Sequence, residues 1–477
     1  MLDRKKYEEQ LKRVKEEQIE ELAKYLQQYT ALGEMVRDMP VAGFDVEKKI
    51  EELEKIPFSP EGRDPKEVAE ELVEKGFNES MMLQHPKFFS FVTSAVSPYA
   101  LAGAILADIY NVNVCGFEEA PTIGIIEEKL IKWMGGLAGW GEDCGGLFTS
   151  GGSLSNLTGF IAARDNLLKP EEYPIGVAYV SDQTHSSGKK GLRMMGLRYD
   201  QIKIIPTDDE FKFRTDLLEE EIKKDLADGK KPFLIVGTIG TTNTGSIDPL
   251  KELGAIKEKY NMWLHVDGAF GGSILFSGIY NHLAAGIELA DSMSWDTHKW
   301  AMQGYSSSCL IAKDKKKLIS VFAEHPEYLQ DVINEEHTDG WDMGIEMSRP
   351  ARCVKLWFTV QAMGTDLLSD VIDYSFFNSH QAKRALEELE GWEITSEPMC
   401  GTITFRYAPT GVDPAEYDEM NARISKEIIK SGYAYIVTTV IKGNRVLRMN
   451  MINGNMTDKD VIDTIHRLDK IAHEIYG

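Results

Sequence analysis

Residues 233–267 read FLIVGTIGTTNTGSIDPLKELGAIKEKYNMWLHVD. Two apolar runs, 233–238 (FLIVGT) and 262–267 (MWLHVD), flank an amphipathic stretch at Leu250–Tyr260. Neither run alternates apolar with polar residues, so neither offers a face to water. Strands of that kind sit in a mostly parallel sheet covered by helices on both sides. The same texture extends outward, to Gly176–Ser181 (GVAYVS), 203–206 (KIIP) and Ser308–Ala312 (SCLIA), with a further helical stretch at 216–228. Residues 145–313 therefore predict an α/β domain. In such a sheet ligands gather at the carboxyl ends of the strands, which is where polar residues carry information.

Outside this block the texture changes. Residues 352–374 read as helical. Thr402–Tyr407, 434–440 and 445–451 then read as strands, with helices over 416–430 and 458–475, the pattern of a small α+β domain. At the other end Tyr7, Leu11, Val14, Leu22, Leu26 and Tyr29 recur at helical spacing among charges, an amphipathic arm whose apolar stripe needs a cover. A proline-rich connector, IPFSPEGRDP at 56–65, separates that arm from the main body. The expected division is a helical N-terminal arm over 1–84, a large domain over 85–365 and a small C-terminal domain over 366–477.

Composition narrows the function classes. The 477 residues carry 76 acidic and 53 basic side chains, a net charge of −23, which argues against nucleic acid or an anionic membrane as partner. Five cysteines are scattered without CxxC spacing, so no zinc site or other metal is expected, and the thiols read as reduced. The N-terminal stretch MLDRKKYEEQLKRVKEEQ has no apolar core segment, and a cytoplasmic location is expected.

Four segments carry chemistry. DSMSWDTHKW (291–300) places Lys299 after His298 at the end of a short apolar run. WLHVDGAFGG (263–272) ends a strand on Asp267, too buried to stand unpaired, and follows it with small residues that let a flat group approach the backbone. TSGGSLSN (149–156) is a Gly/Ser turn running into a helix, whose exposed amides suit an anion. It is not a P-loop, since no Gly-Lys-Ser/Thr closes it. DQTHSSGKK (182–190) puts His185 near the end of the strand before it. Each segment alone has an ordinary structural reading. Together they supply a lysine, an acid, an anion cradle and room for a ring, which is the set that pyridoxal phosphate requires.

On those residues the chain resembles the group II pyridoxal-phosphate-dependent amino acid decarboxylases, most of all the bacterial aromatic (tryptophan-type) enzymes, from about residue 85 to the C-terminus. The resemblance implies the aspartate-aminotransferase-like fold (type I), with a mostly parallel seven-stranded sheet, and a homodimer whose active sites are shared between subunits. It implies that Lys299 carries the cofactor as a Schiff base, that Asp267 pairs with the ring nitrogen, that Ala269 lies below the ring and that His185 stacks above it. Gly152, Ser153, His298 and position 296 match the phosphate cradle, and Thr242 a group near the ring hydroxyl. The family more often reads Asn-Pro-His-Lys where this chain has Asp296-Thr-His-Lys. A carboxylate facing a phosphate would repel it, so Asp296 is expected to be turned away or protonated.

For catalysis the resemblance assigns Lys299, His185, holding the substrate carboxylate, and Tyr328, returning the proton to Cα from a charged loop over 322–340. Related enzymes with phenylalanine at the Tyr328 position tend to release an aldehyde, so an amine product is expected. Phe88 and Phe89, in HPKFFSF (85–91), match the segment lining the side-chain pocket, and Trp341 is a further candidate. Aromatic walls suit indole or phenyl side chains. The alternative is a decarboxylase of an acidic amino acid (glutamate, aspartate or cysteine sulfinate). It would need an arginine aimed at the distal carboxylate, for which Arg349 and Arg352 are available. An aminotransferase is a third reading and would not need the Tyr328 loop. A non-catalytic scaffold is disfavoured by the intact Lys299, Asp267 and His185.

Overall fold

A computed structural model describes residues 4–6, 8–9, 19–58, 60, 62–324 and 337–476. The expected helical arm is seen as α1 (Ile19–Gln27), with Tyr7, Leu11 and Val14 outside the described residues. Ahead of the sheet lie α2 (Pro98–Tyr110) and α3 (Pro121–Leu137), each entered through a proline in its first turn, where the missing N–H costs nothing.

The large domain contains β1 (Gly145–Thr149), β2 (Gly176–Ser181), β3 (Ile202–Ile205), β4 (Lys231–Thr238), β5 (Trp263–Asp267), β6 (Ser292–Trp295) and β7 (Ser308–Ala312). They form one sheet in the order β1-β7-β6-β5-β4-β2-β3. The pairs β6–β5, β5–β4, β4–β2 and β2–β3 are parallel, while β7 is antiparallel to both its neighbours. The α/β expectation holds, and five of the seven strands coincide with the apolar runs. The other two, β1 (GGLFT) and β6 (SMSW), are rich in glycine or serine; β1 gives no apolar signal and β6 only the short run ahead of Lys299, although every residue in both is buried. Helices α4 (Gly152–Leu167), α5 (Ser186–Met194), α6 (Thr215–Ala227) and α7 (Leu250–Tyr260) connect the strands and cover the sheet.

After α8 (Cys353–Met363) and α9 (Thr365–Glu387), the small domain forms an antiparallel sheet in the order β10-β11-β9-β8. Its strands are β8 (Trp392–Met399), β9 (Thr402–Tyr407), β10 (Thr438–Ile441) and β11 (Asn444–Asn450), backed by α10 (Tyr417–Lys430) and α11 (Asp458–Tyr476). The unexpected strand β8 reads WEITSEPM. As an edge strand it tolerates the glutamates and Pro398 that hide it from a pattern search.

Residues 434–437, expected to begin a strand, are instead occupied with the segment before α2. The Phe89 N–H donates to the Tyr435 carbonyl, the Tyr435 N–H to Lys87, and the Asn450 N–H to Phe89. That stitching has a consequence for the proposed pocket residues. Phe88 stacks on Tyr435 at 4.9 Å between centroids, and Phe89 is fully buried in the small-domain core with Phe405 and Leu447.

Two arginines are fixed by buried pairs. Arg349 meets Glu127 through two bonds of 2.5 and 2.6 Å, and Glu127 also accepts the Phe148 N–H, tying α3 to β1. Arg352 is held by Glu346 through two bonds of 2.8 Å. All five cysteines are buried and unpaired. Among the described residues no helix is long and apolar enough to cross a membrane, and no cluster of metal-ligating side chains occurs.

Candidate active site

The carboxyl ends of β1, β2, β4, β5 and β6 converge on a cavity of about 330 Å³. Gly152, Ser153, His185, Thr242, Asp267, Ala269, Asp296, His298 and Lys299 all line it, so the topology gathers residues spread over 148 positions (152 to 299). Thr238, Tyr305, Ser150 and Ser187 line it too and were not singled out from sequence.

Asp267 ends β5 and is almost fully buried. Its Oδ1 accepts the Ala269 N–H at 3.1 Å and the Ser294 hydroxyl at 3.2 Å, and its Oδ2 accepts the Asn156 side-chain amide at 3.0 Å. Lys299 follows β6 and points Nζ at Asp296 Oδ2, 3.0 Å away. Burial works against the ammonium, but the carboxylates of Asp296 and Asp267 outweigh it and raise its pKa. Asp296 also takes the Ser308 hydroxyl, so its carboxylate is turned onto Lys299 and Ser308.

His298 lies beside this pair. Its Nδ1 is 2.7 Å from the Ser307 carbonyl and therefore carries the proton, leaving Nε2 towards the cavity. Burial pushes its pKa down, so its 3.6 Å contact with Asp296 is not an ion pair. Tyr305 tilts against the His298 ring at 4.7 Å. The Tyr305 turn is clamped by Lys355, whose Nζ donates to the carbonyls of Gly304, Tyr305 and Ser306 at 2.9–3.3 Å. Burial, with Arg352 nearby, brings the Lys355 ammonium down to about 8.

On the opposite wall the 16-residue α4 begins at Gly152 with no side chain capping its first turn, which leaves amides for an anion. A Cβ on Gly152 would fall 2.8 Å from Asp296 Oδ1 and 2.9 Å from Ala269 Cβ, so only glycine brings the turn this close to the cavity floor. His185 is exposed at the mouth and held by its neighbour, its Nδ1 2.7 Å from the Ser187 hydroxyl. A lysine, a buried carboxylate, an uncapped helix end and small residues between them can together hold a flat, phosphorylated aldehyde.

The family model for the pyridoxal-dependent decarboxylase conserved domain matches residues 66–408. The chain belongs to the pyridoxal-dependent decarboxylase family. This decarboxylase is 32% identical over 419 residues to the aromatic-L-amino-acid decarboxylase of Bacillus atrophaeus, covering 87% of each chain. It is 29% identical over 420 residues to the cysteine sulfinic acid decarboxylase of Homo sapiens, covering 83% of this chain and 84% of that one. In fold it is similar to the crystal structure of Oryza sativa TDC with PLP and tryptamine, with a TM-score of 0.90 at 24% identity, covering 98% and 99% of the two chains. The decarboxylase is thus a carboxy-lyase acting on an amino acid with pyridoxal phosphate as cofactor, and the residues around Lys299 fit that group.

The remaining site candidates are not in this cavity. Phe88 is stacked on Tyr435 and Phe89 lies in the small-domain core, because the segment 87–89 pairs with Tyr435 ahead of β10 and with Asn450 at the end of β11. Trp341 is buried against Gly116, whose Cβ would fall 2.8 Å from the indole. Tyr328 lies outside the described residues. Asn156 was the informative omission. It stands four positions after Gly152, one helical turn from the cradle and on the same helix face.

The decarboxylase should also be acid-labile in a specific way. His265, fully buried in β5, is brought down by burial to about 3 from 6.5. The unfolded chain therefore binds a proton that the folded chain refuses. Stability is complete above pH 6.5 and falls as the pH drops from there towards 3, by on the order of 4 kcal/mol from this group. His265→Gln should flatten that part of the profile in urea titrations run across this range.

Proposed function

We propose that the decarboxylase acts on an aromatic L-amino acid, tryptophan or phenylalanine and also tyrosine, giving the arylalkylamine and CO2. The observation that carries this reading is a second cavity of about 470 Å³ that shares His298 and Tyr305 with the Lys299 cavity. Tyr29, Val73, Phe77, Met81 and Leu83 are among its walls, and no Asp, Glu, Lys or Arg lines it among the described residues. Its size and apolar lining suit an indole or phenyl group. A distal carboxylate or ammonium there would meet an apolar lining with no counter-charge among the described residues. Arg349 and Arg352, the arginines an acidic substrate could have used, are already committed to Glu127 and Glu346.

In this reading Lys299 would hold the cofactor through its side-chain amine. Asp267 would hold the proton of the ring nitrogen, and the first turn of α4 with Ser153 and His298 would hold the phosphate. His185, at the mouth, holds the substrate carboxylate, and Tyr328 returns a proton to Cα. Bound pyridoxal phosphate supplies the electron sink that lets the carboxylate leave.

A homodimer in the cytoplasm is part of the same reading. Ile105, Leu106, Ile109 and Tyr110 leave an apolar face of α2 exposed, the kind of patch that a partner covers. The test is a product assay with tryptophan, phenylalanine, tyrosine, glutamate, aspartate, cysteine sulfinate and 2,4-diaminobutyrate offered separately. Amine from an aromatic substrate is expected. Product from a charged substrate alone would mean that the apolar cavity is not where the side chain binds.

A further inference from the structure

Strands β5 and β6 are parallel neighbours, and their register places His265 beside Ser292 and Asp267 beside Ser294. Because side chains alternate along a strand, Trp263, His265 and Asp267 share one face of β5. Helix α4 lies over that face and inserts Asn156 between His265 and Asp267. A continuous chain of buried polar contacts results. Trp263 Nε1 donates to Ser292 Oγ at 2.9 Å, Ser292 Oγ meets His265 Nδ1 at 2.7 Å, His265 Nε2 meets Asn156 Oδ1 at 2.9 Å, and Asn156 Nδ2 donates to Asp267 Oδ2 at 3.0 Å.

The hydrogens in this chain can run in only one direction. Indole N–H is a donor only, and a carboxylate is an acceptor only. Asn156 must present its amide N–H to Asp267, which leaves its carbonyl to His265. His265 must then carry its proton on Nε2, and its bare Nδ1 must accept the Ser292 hydroxyl. That hydroxyl in turn accepts from Trp263. No cation takes part, and the imidazole stays neutral. A positive side chain at the end of the chain would compete with a ring N–H for Asp267, whereas a neutral series of aligned dipoles orients the carboxylate without neutralising it.

The fold shows that room was made for this arrangement. A Cβ on Gly159, in the middle of α4, would fall 2.7 Å from His265 Cε1 and Nδ1. Glycine at a helix interior is unfavourable by itself, and here it gives the imidazole its place. Phe160 meets the ring edge-on at 5.1 Å.

We propose that Trp263, Ser292, His265 and Asn156 are a one-way relay of positioning residues that aims the Asp267 carboxylate at the ring nitrogen of pyridoxal phosphate. The inference rests on family membership and holds whichever amino acid is the substrate. It is tested on the cofactor rather than on turnover, by equilibrium dialysis of the apoenzyme against pyridoxal phosphate, with circular dichroism to confirm folding.

Asn156→Asp keeps the shape and sets a second carboxylate against Asp267. The titratable groups facing it are Asp267 and His265 from β5, with Lys299 and Asp296 bordering the same cavity. Its dissociation constant relative to the wild type should rise roughly 10–100-fold near pH 8 and recover towards about pH 6, as the facing carboxylates take up a proton. A purely structural role would give a ratio that does not move with pH, and a ratio near one at both pH values would overturn the proposal. His265→Gln retains an N–H for Asn156 and a carbonyl for Ser292, so its constant should stay within about threefold of the wild type, while His265→Leu should lose roughly tenfold or more. Equal losses in both would show that the imidazole acts by packing and would also overturn the relay.

Discussion

Lys299→Ala is expected to abolish decarboxylation, with a loss on the order of 10³-fold or more, equivalent to at least about 4 kcal/mol of transition-state stabilisation. The geometry explains why no neighbour can substitute. Lys299 is the one lysine or arginine among the described residues lining the cofactor cavity, and it balances two carboxylates at once, Asp296 at 3.0 Å and Asp267 further along the floor. Its removal deletes the amine proposed to take the cofactor and leaves an anionic floor that would repel the phosphate. Gel filtration after incubation with pyridoxal phosphate should therefore leave the variant without cofactor absorbance, and borohydride should trap none on the protein. A variant that still yielded reducible, protein-linked cofactor would place the chemistry on another lysine. Lys355, with its pKa near 8, would be the first to examine.

Asp267→Asn should be nearly as damaging, on the order of 10²–10³-fold in kcat/KM, although the change is isosteric. Part of the expected loss is the charge proposed to hold the proton of the ring nitrogen. Part follows from the direction of the hydrogen bonds around it. The introduced amide keeps one oxygen: turned to Asn156 it leaves its NH2 against the Ala269 N–H, and turned to Ala269 it puts the NH2 against the Asn156 N–H, which Asn156 could accept only by turning over. It would then face His265 with a second donor. His265 would have to move its proton to Nδ1, and the Ser292 hydroxyl, then accepting from both His265 and Trp263, would lose the imidazole as acceptor for its own proton. A single altered atom is thus felt at four residues. Both kcat/KM and the cofactor dissociation constant should change, and thermal unfolding of the apoenzyme should fall modestly, since one buried donor is left without an acceptor. Preserved cofactor affinity with a full loss of turnover would instead assign Asp267 to the chemical step alone.

The difference between what was legible in the sequence and what was not follows burial and polarity. Strands β2, β3, β4, β5 and β7 were readable because their residues face apolar surroundings on both sides, a condition visible in composition. Strand β6 showed only as a short run ahead of Lys299 and not as a strand, since Ser292 and Ser294 point inward. Those serines belong there because one completes the His265 contact and the other holds Asp267, and neither partner is near in sequence. Gly159 and Asn156 looked like ordinary helix residues for the same reason. Phe88 and Phe89 looked like pocket walls because an aromatic pair carries no record of which surface it meets, and chain pairing with Tyr435 turned Phe89 into the small-domain core.

The sequence by itself determined the α/β class and, through its resemblance, the family and the cofactor, and it singled out Lys299 and Asp267, since these depend on residue types in local order: apolar runs, a terminal acid, a lysine after a histidine. Only the tertiary structure decided what surrounds them. It turned Asp296 onto Lys299, set Tyr305 between two cavities, committed Arg349 and Arg352 to glutamates and joined β5, β6 and α4 into one directed chain of hydrogen bonds. Local order is written along the chain. A hydrogen bond or an ion pair between residues a hundred positions apart exists only once the sheet register and the helix above it have fixed both partners in space.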